Sequence, residues 1–404
     1  MISFNDARHE IANLFSHIVP SHEDVPLLNS VGRIIAEDVV ADIDLPLFDH
    51  SAVDGYAIVF SPGLSQWKIT GTITAGKYSE IILNEQQAVS IMTGGKLPIN
   101  ANCVIPIEDV DIIDSNIQLH DTVTLKAGMN IRKKGEDGKQ HSLIVPSYSV
   151  IHPKTVSLLA SCGKTFVTVF KKLNIGVLCT GDELIDIAES PSVDKVRASN
   201  LYSLLACATN GVSQGINLGI TADDPEILHA RFSEVFNNNE LDILVTSGGV
   251  SVGTHDFVQS VFKQLGAEIV FWKVNIKPGK PLLAALYRKR KKPLIIFGLP
   301  GNPVSSFVNY ILFVQSHINT LFHQESFTTR YAKTNSVLQK KDGKRNFLRG
   351  RIEYDETNSE YRVQQLQSQS SGNMVTLHQA NCLIVMKEEC QRIEMGELAE
   401  CIII

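Results

Sequence analysis

The chain of 404 residues is long enough for several domains, and its 44% apolar and 20% charged content is that of an ordinary globular protein. A formal net charge of −6 argues against a protein that coats nucleic acid or anionic membrane, while leaving room for a local basic pocket. The opening MISFNDARHE has no charged-then-apolar leader, no apolar run is long enough to cross a bilayer, and the seven cysteines form no C-x-x-C pair, so reduced thiols in a cytoplasmic protein are expected.

Residues 3–19 place Phe4, Ile11, Leu14, Phe15 and Ile18 on one helical face, with Pro20 as a stop. Short extended and helical pieces follow from Val25 to Val40. From Asp42 the chain turns rich in acids and turn formers. Short strands are then predicted at Trp67–Thr74, Ala88–Met92, Cys103–Pro106, Asp109–Ile113 and Ile117–Leu119, which makes 42–140 an all-β insertion. Two loops stand out there: Thr93-Gly94-Gly95, and Ile131–Asp137, where three cations adjoin two acids as a solvated charged turn would.

From Leu173 strands and helices alternate, the rhythm of a mostly parallel sheet covered on both faces. Strands are expected at Asn174–Cys179, Gly215–Leu218, Leu241–Val245, Ile269–Val274, Leu282–Leu286 and Leu294–Phe297. Helices are expected at Asn200–Asn210, Pro225–Phe236, Asp256–Leu265 and Val304–Phe322, with Pro303 suited to a first helical turn. The stretch LDILVTSGGVSVGTHDF (241–257) is the centre of this region: a buried strand, then Gly248, Gly249, Ser251 and Gly253, then a helix start. Such a loop aims bare backbone N–H groups at an anion, and Asp256 falls where it could hold a cation beside a phosphate. The pattern is neither a Walker A loop nor a dinucleotide fingerprint. Ligands of such sheets sit outside the carboxyl ends of the strands, and four loops there (TGDEL, SGGVSVGTHD, KPGKP, GLPGNPVSS) are rich in Gly, Pro and polar groups. After about residue 326 a polar β-patterned region runs to Ile404, with Arg345, Arg349 and Arg351 clustered on one hairpin. The ending Cys401-Ile402-Ile403-Ile404 formally fits a prenylation signal, but a terminal strand accounts for it better.

DHSAVDGYA, IMTGGKLP, IRKKGED, TGDEL, TSGGVSVGTHD, FWKVNIKPGKP and GLPGNPVSS occur here in the order in which they occur in the molybdopterin molybdenumtransferase family, which includes bacterial enzymes and the E domain of gephyrin. The chain resembles that family from its first helix to NCLIV at 381–385. The resemblance implies a multidomain α/β and β fold. A molybdopterin-binding-like doubly wound α/β domain spans 1–26 plus 173–325, and interrupted segments 27–41 plus 141–172 form a second domain. The β insertion covers 42–140 and a C-terminal β-barrel 326–404. It further implies an elongated homodimer in which the β insertion faces the sheet domain of the other subunit. The implied reaction takes adenylylated molybdopterin and molybdate with Mg²⁺, hydrolyses the pyrophosphate bond, releases AMP and leaves molybdenum on the dithiolene sulfurs.

The family's functional positions carry over to particular residues of this chain. Asp256 and Glu183 match acids expected for metal and hydrolysis, a hard divalent ion needing only one or two carboxylates; Asp54, Thr93 and Asp137 match functional positions of the β insertion. Asp223 matches a pocket acid, with capping of helix Pro225–Phe236 as the competing reading. Lys277, Lys280, Ser305, Arg349 and Ser371 match positions used for molybdate, a tetrahedral dianion suited to compact cations, hydroxyls and an arginine fork. Lys273 lies nearby, where pairing with a structural carboxylate would explain it equally, and Asn200 belongs to the pterin side. His50, Val53 and Ala198 stand where Asn, Met and Asp are usual. Contacts with the molybdopterin adenylyltransferase and with acceptors of the finished cofactor are expected, and none with nucleic acid or membrane. A scaffold on the same fold, or a phosphoesterase of another nucleotide-linked metabolite, are the alternatives.

Overall fold

Ser3 accepts a hydrogen bond from the Asp6 backbone N–H and so caps helix α1 (Phe4–Phe15), whose apolar stripe of Phe4, Ala7, Ile11, Leu14 and Phe15 is buried. The computed structural model describes residues 1–74, 76, 80–250 and 257–404. Two units divide the chain: Asp24–Val31 with Ile35–Val167, and Met1–Glu23 with Gly32–Ile34 and Thr168–Ile404.

The first of these units is built on six strands: β1 (Gly55–Ile58), β2 (Gln66–Ile73), β3 (Gln87–Ile91), β4 (Cys103–Pro106), β5 (Val110–Ile113) and β6 (Asn116–Leu119), followed by helix α2 (Pro153–Ser161). They form one sheet in the order β4-β1-β3-β2-β6-β5. Side chains alternate across it: Tyr56, Ile58, Trp67, Ile105 and Ile117 pack on one face, Ala57, Val89, Ile91 and Val104 on the other. The five strands expected here all form, to within a residue or two at their ends.

The second unit carries β7 (Leu173–Thr180), α3 (Ser199–Ala208), β8 (Ser213–Thr221), α4 (Pro225–Asn237), β9 (Ile243–Ser247), α5 (Val258–Leu265), β10 (Glu268–Trp272), β11 (Leu283–Tyr287), β12 (Leu294–Leu299), α6 (Pro303–Asn309) and α7 (Ser316–Leu321). The sheet order is β8-β7-β9-β12-β11-β10. The first four strands are parallel, and β11 runs antiparallel to both neighbours. Every residue of β9 is buried, as a central strand covered on both faces requires. It begins two residues later than the apolar run suggests. Over one face, Phe232 and Phe236 of α4 meet Phe262 of α5, the 232–262 ring centroids standing 4.7 Å apart. Gly266, at φ 91, closes α5 in the left-handed conformation. The helix expected over 304–322 is not one regular helix. A π-helical segment, Tyr310–Gln315, separates α6 from α7.

The last region closes on itself. Strands β13 (Thr329–Thr334), β14 (Arg345–Asp355), β15 (Glu360–Gln365), β16 (Cys382–Met386) and β17 (Leu398–Ile403), with helix α8 (Met374–Gln379) between β15 and β16, pair in the cycle β14-β15-β13-β17-β16-β14. The result is a closed five-stranded barrel that leaves no open edge within the cycle. The short strand Ile276–Lys277 adds to β14 in parallel, so the KPGKP loop begins against the barrel.

Candidate active site

The carboxyl ends of β7 and β9 frame a cavity of about 340 Å³ lined by Thr180, Glu183, Asn200, Asp223, Gly248 and Gly249 among others. The glycine turn is required by its backbone. Gly248 and Gly249 have φ of 103 and 65, and a Cβ on Gly248 would fall 2.3 Å from the Thr180 carbonyl oxygen. Asn200 braces the same mouth: its Nδ2 donates to Ser247 Oγ at 2.9 Å and to the Gly301 carbonyl at 2.7 Å. Ser247 Oγ also donates to the Pro300 carbonyl, 3.2 Å away, and Ser306 Oγ lies 3.4 Å from it.

The two readings of Asp223 are now distinguished locally. Asp224, not Asp223, is the N-cap of α4, accepting from Glu226 N and Ile227 N. Asp223 lines the cavity instead, its own N–H donating to Asp182 Oδ1 at 3.1 Å. Glu183 is solvent-exposed and makes no ion pair among the described residues. Two carboxylates and one guanidinium, Arg197, therefore set the charge of the lining, a poor reception for a phosphate unless a cation enters with it. Cys179 also lines the cavity, but burial pushes its thiol up to about 12, so it is protonated at neutral pH and no nucleophile. Ser251, Gly253 and Asp256 lie outside the described residues.

A second group of expected residues gathers on three adjoining segments. The Gly279 carbonyl accepts from Asn309 Nδ2 of α6 at 2.9 Å, and a Cβ on Gly279 would sit 2.6 Å from the Asn309 amide, so only glycine allows this approach. This anchors the loop carrying Lys277 and Lys280 onto the helix carrying Ser305, which is 4% exposed. Val304 N donates to the Ser371 carbonyl at 3.1 Å, tying the same helix start to the 368–371 loop of the barrel. Arg349 lies under that loop, 1% exposed. Its Nη2 donates to the Ser368 and Ser370 carbonyls at 2.7 and 3.0 Å, while its Nε finds no hydrogen-bond partner among the described residues. Lys277 and Lys280 are exposed, and Lys277 Nζ stands 3.5 Å from Asp342 Oδ2. Lys273 pairs with no carboxylate among the described residues and lies over the Trp272 ring, 3.6 Å from its centroid. The three arginines of the barrel hairpin share strand β14 but form no single cluster. Arg345 bonds Glu388 and covers Phe4, and Arg351 pairs with Glu353 in solvent.

In the β-insertion unit, Asp54 accepts from both the backbone N–H and the hydroxyl of Thr93, at 2.7 and 2.8 Å, and these bonds hold its carboxyl below the usual range. The charges of the turn are paired, Asp137 with Arg132 at 2.5 Å and Arg132 with Glu136 at 3.2 Å inside it, and Lys133 with Asp49 outside it at 2.8 Å. Two residues of the α/β cavity escaped the sequence reading. Thr180, 3% exposed, has a hydroxyl with no hydrogen-bond partner among the described residues, and Ser247 is the hub of the Asn200 brace. Both fall within quoted motifs, TGDEL and TSGGVSVGTHD, but neither is singled out there as a site residue.

Comparison with known proteins places this architecture in a class. Three family models match successive stretches: the MoeA N-terminal region (domain I and II) at residues 2–163, the probable molybdopterin binding domain at 176–320, and the MoeA C-terminal region (domain IV) at 331–404. The fold is thus that of the multidomain molybdopterin-biosynthesis proteins. A molybdopterin molybdenumtransferase of Haemophilus influenzae is 32% identical over 387 residues, covering 93% of this chain and 92% of that one. One of Bacillus subtilis is 30% identical, covering 95% and 90%. A solved MoeA structure from Pyrococcus horikoshii superposes with a TM-score of 0.80 at 28% identity, covering 100% of this chain and 99% of the other. The chain belongs to the molybdopterin molybdenumtransferase family of enzymes.

Proposed function

We propose that this enzyme takes adenylylated molybdopterin and molybdate, hydrolyses the pyrophosphate bond with release of AMP, and leaves molybdenum bound by the dithiolene sulfurs. The observation that carries this reading is the pairing of two chemistries on neighbouring loops. Glu183, Asp223 and the Gly248-Gly249 turn line one cavity, while Lys277, Lys280, Ser305 and Ser371 sit on α6 and the two loops bonded to it, the 277–280 loop through Asn309 at its last residue and the Ser371 loop through Val304 at its start. Backbone N–H groups of the glycine turn serve the phosphates. Lysines and hydroxyls serve a small tetrahedral dianion, and Arg349 holds the loop that brings Ser371 to it. Asn200 completes the cavity wall, with Lys273 as a further substrate contact, Ser251 and Gly253 as further phosphate contacts and Asp54, Thr93 and Asp137 as functional residues of the β insertion.

A divalent ion fits the donor set. No three His, Cys, Asp or Glu residues gather into a metal cage among the described residues, but Mg²⁺ needs only one or two carboxylates beside substrate phosphates and water. Glu183 and Asp256 are the proposed ligands. The ion would neutralise charge on the pyrophosphate and leave the pocket's acids free of repulsion toward it. We also propose that the protein works as a cytoplasmic homodimer, receives its substrate from the molybdopterin adenylyltransferase and passes the cofactor to acceptor enzymes.

The test is AMP release from adenylylated molybdopterin, measured with and without Mg²⁺ and with and without molybdate. Release that requires Mg²⁺ and is accompanied by protein-bound molybdenum is expected. Release indifferent to molybdate, with no molybdenum captured, would point to a phosphoesterase instead. Binding without any release would point to a scaffold.

A further inference from the structure

At the opposite ends of the same strands lies a feature the reaction does not use. Arg288-Lys289-Arg290-Lys291-Lys292 forms the turn from β11 to β12, five consecutive cations in a chain whose net charge is −6. Lys171 and Lys172, just before β7, are brought to the same end. Lys171, Lys172 and Lys292 rim a hollow of about 350 Å³ that Asn174, Gln214 and two acids, Glu240 and Asp242, also line. These charges are partly compensated, since Asp242 lies within electrostatic reach of Lys171, Arg290 and Lys292, and Glu23 within reach of Lys172. Arg288 pairs with Glu268 at 3.3 Å. Arg290 spends Nη2 on the Leu241 carbonyl, while its Nε and Nη1 have no hydrogen-bond partner among the described residues. Lys289, Lys291 and Lys292 are exposed and make no ion pair among the described residues. Asp242, inside the hollow, is engaged by Asn174 N at 2.8 Å.

Like charges crowded on one turn repel one another and weaken the fold locally, and a run of them on a single face raises the local potential for anions. We propose that this end of the α/β unit is a docking surface for an acidic segment of a partner protein. Carboxylate side chains of that segment lie along the 288–292 turn, and one reaches into the lysine-rimmed hollow. Charge complementarity and the shape of the site favour a peptide over nucleic acid. The hollow is small, its lining contains no aromatic ring on which bases could stack, and the protein as a whole is anionic. Because the surface lies at the strand starts and the cavity at the strand ends, docking leaves the reaction site open.

The experiment uses the full-length protein and a short fluorescent poly-glutamate peptide at low salt, with a labelled single-stranded oligonucleotide in parallel. Lys289→Glu, Lys291→Glu and Lys292→Glu are combined in one variant and changed to Gln in a second. A control reverses Lys68, Lys126 and Lys154, exposed lysines of the β-insertion unit. The peptide is expected to bind, to dissociate as salt rises, and to bind at least about tenfold more weakly to the triple Glu variant, with a smaller loss for the Gln variant. The control should bind as the parent does. Equal loss in the control, absence of binding at low salt, or tighter binding of the oligonucleotide than of the peptide would each overturn the proposal.

Discussion

Replacing Asn200 by alanine tests whether the cavity is held open by the brace described above. The side chain contributes two neutral hydrogen bonds, to Ser247 Oγ at 2.9 Å and to the Gly301 carbonyl at 2.7 Å. Each is worth about 1 kcal/mol net. Ser247 keeps its bond to the Pro300 carbonyl, so its hydroxyl is not orphaned; the Gly301 carbonyl loses this donor. The expected loss is therefore about 2 kcal/mol. At roughly 2–4 °C per kcal/mol for a domain of this size, that is a fall of about 4–8 °C in the transition of the α/β unit. Calorimetry supplies the stability, and titration with adenylylated molybdopterin supplies the affinity, which should weaken because the glycine turn and the 298–303 loop are no longer tied. Asn200→Asp should destabilise at least as much, since it sets an acceptor against the Gly301 carbonyl. A normal transition in Asn200→Ala with weakened substrate binding would refute the reasoning: the amide would then be a ligand of the substrate and not a brace.

Arg349→Met keeps most of the buried volume but abandons the Ser368 and Ser370 carbonyls, each bonded to a charged donor. Relief of a buried charge offsets part of that, leaving a loss of about 1–3 kcal/mol together with a raised molybdate requirement; thermal melting and a molybdate dose curve check both, and Ser371→Ala should move only the second. Ala198 occupies the N-cap of α3 and offers no side-chain acceptor. Ala198→Ser should add about 1 kcal/mol by capping the helix, read as a higher melting temperature. His317, buried between the Phe313 and Arg8 carbonyls, is held down to about 4 from its ordinary 6.5, mainly by burial and further by Arg8. Between those values the unfolded chain binds the extra proton. Stability is therefore intact above about pH 6.5 and falls by up to about 3 kcal/mol as the pH drops toward 4. Melting curves across that range should show the slope in the parent protein and a flatter one in His317→Gln.

The strand–helix rhythm from Leu173 to α6 was legible because each element buries a face with its own period, and periodicity survives in sequence. What periodicity cannot carry is which elements become neighbours. β7 and β9 pair directly, yet β8 and two helices stand between them in the chain, so the cavity between their ends was visible only as separate glycine-rich loops. Closure of the barrel through β14 and β16 is invisible for the same reason. The π-helical segment at Tyr310–Gln315 left no mark either: its apolar residues satisfy a helical pattern whether or not the hydrogen-bonding step lengthens.

Single residues show the same division more sharply. Asp223 and Asp224 are chemically identical neighbours, and only the path of the chain into α4 decides that the second caps the helix while the first lines the cavity. Arg349 reads in sequence as a cation free to meet an anion. Its neighbours on the strand could not reveal that the 368–371 loop folds over it and takes its donors. That arrangement has a mechanical consequence. Asn200 ties the glycine turn's strand to the Gly301 loop, Gly301 leads into α6, the start of α6 bonds the Ser371 carbonyl, and Arg349 bonds the same loop one residue earlier. The glycine-turn cavity and the segments carrying Ser305 and Ser371, proposed above for phosphate and for molybdate, are thus joined by one continuous chain of hydrogen bonds and covalent backbone. A displacement of the Gly301 loop would be felt at the Ser371 loop through a bond of 3.1 Å. Loosening the brace at Asn200 should accordingly reach molybdate dependence as well as substrate affinity, although Asn200 touches none of the lysines.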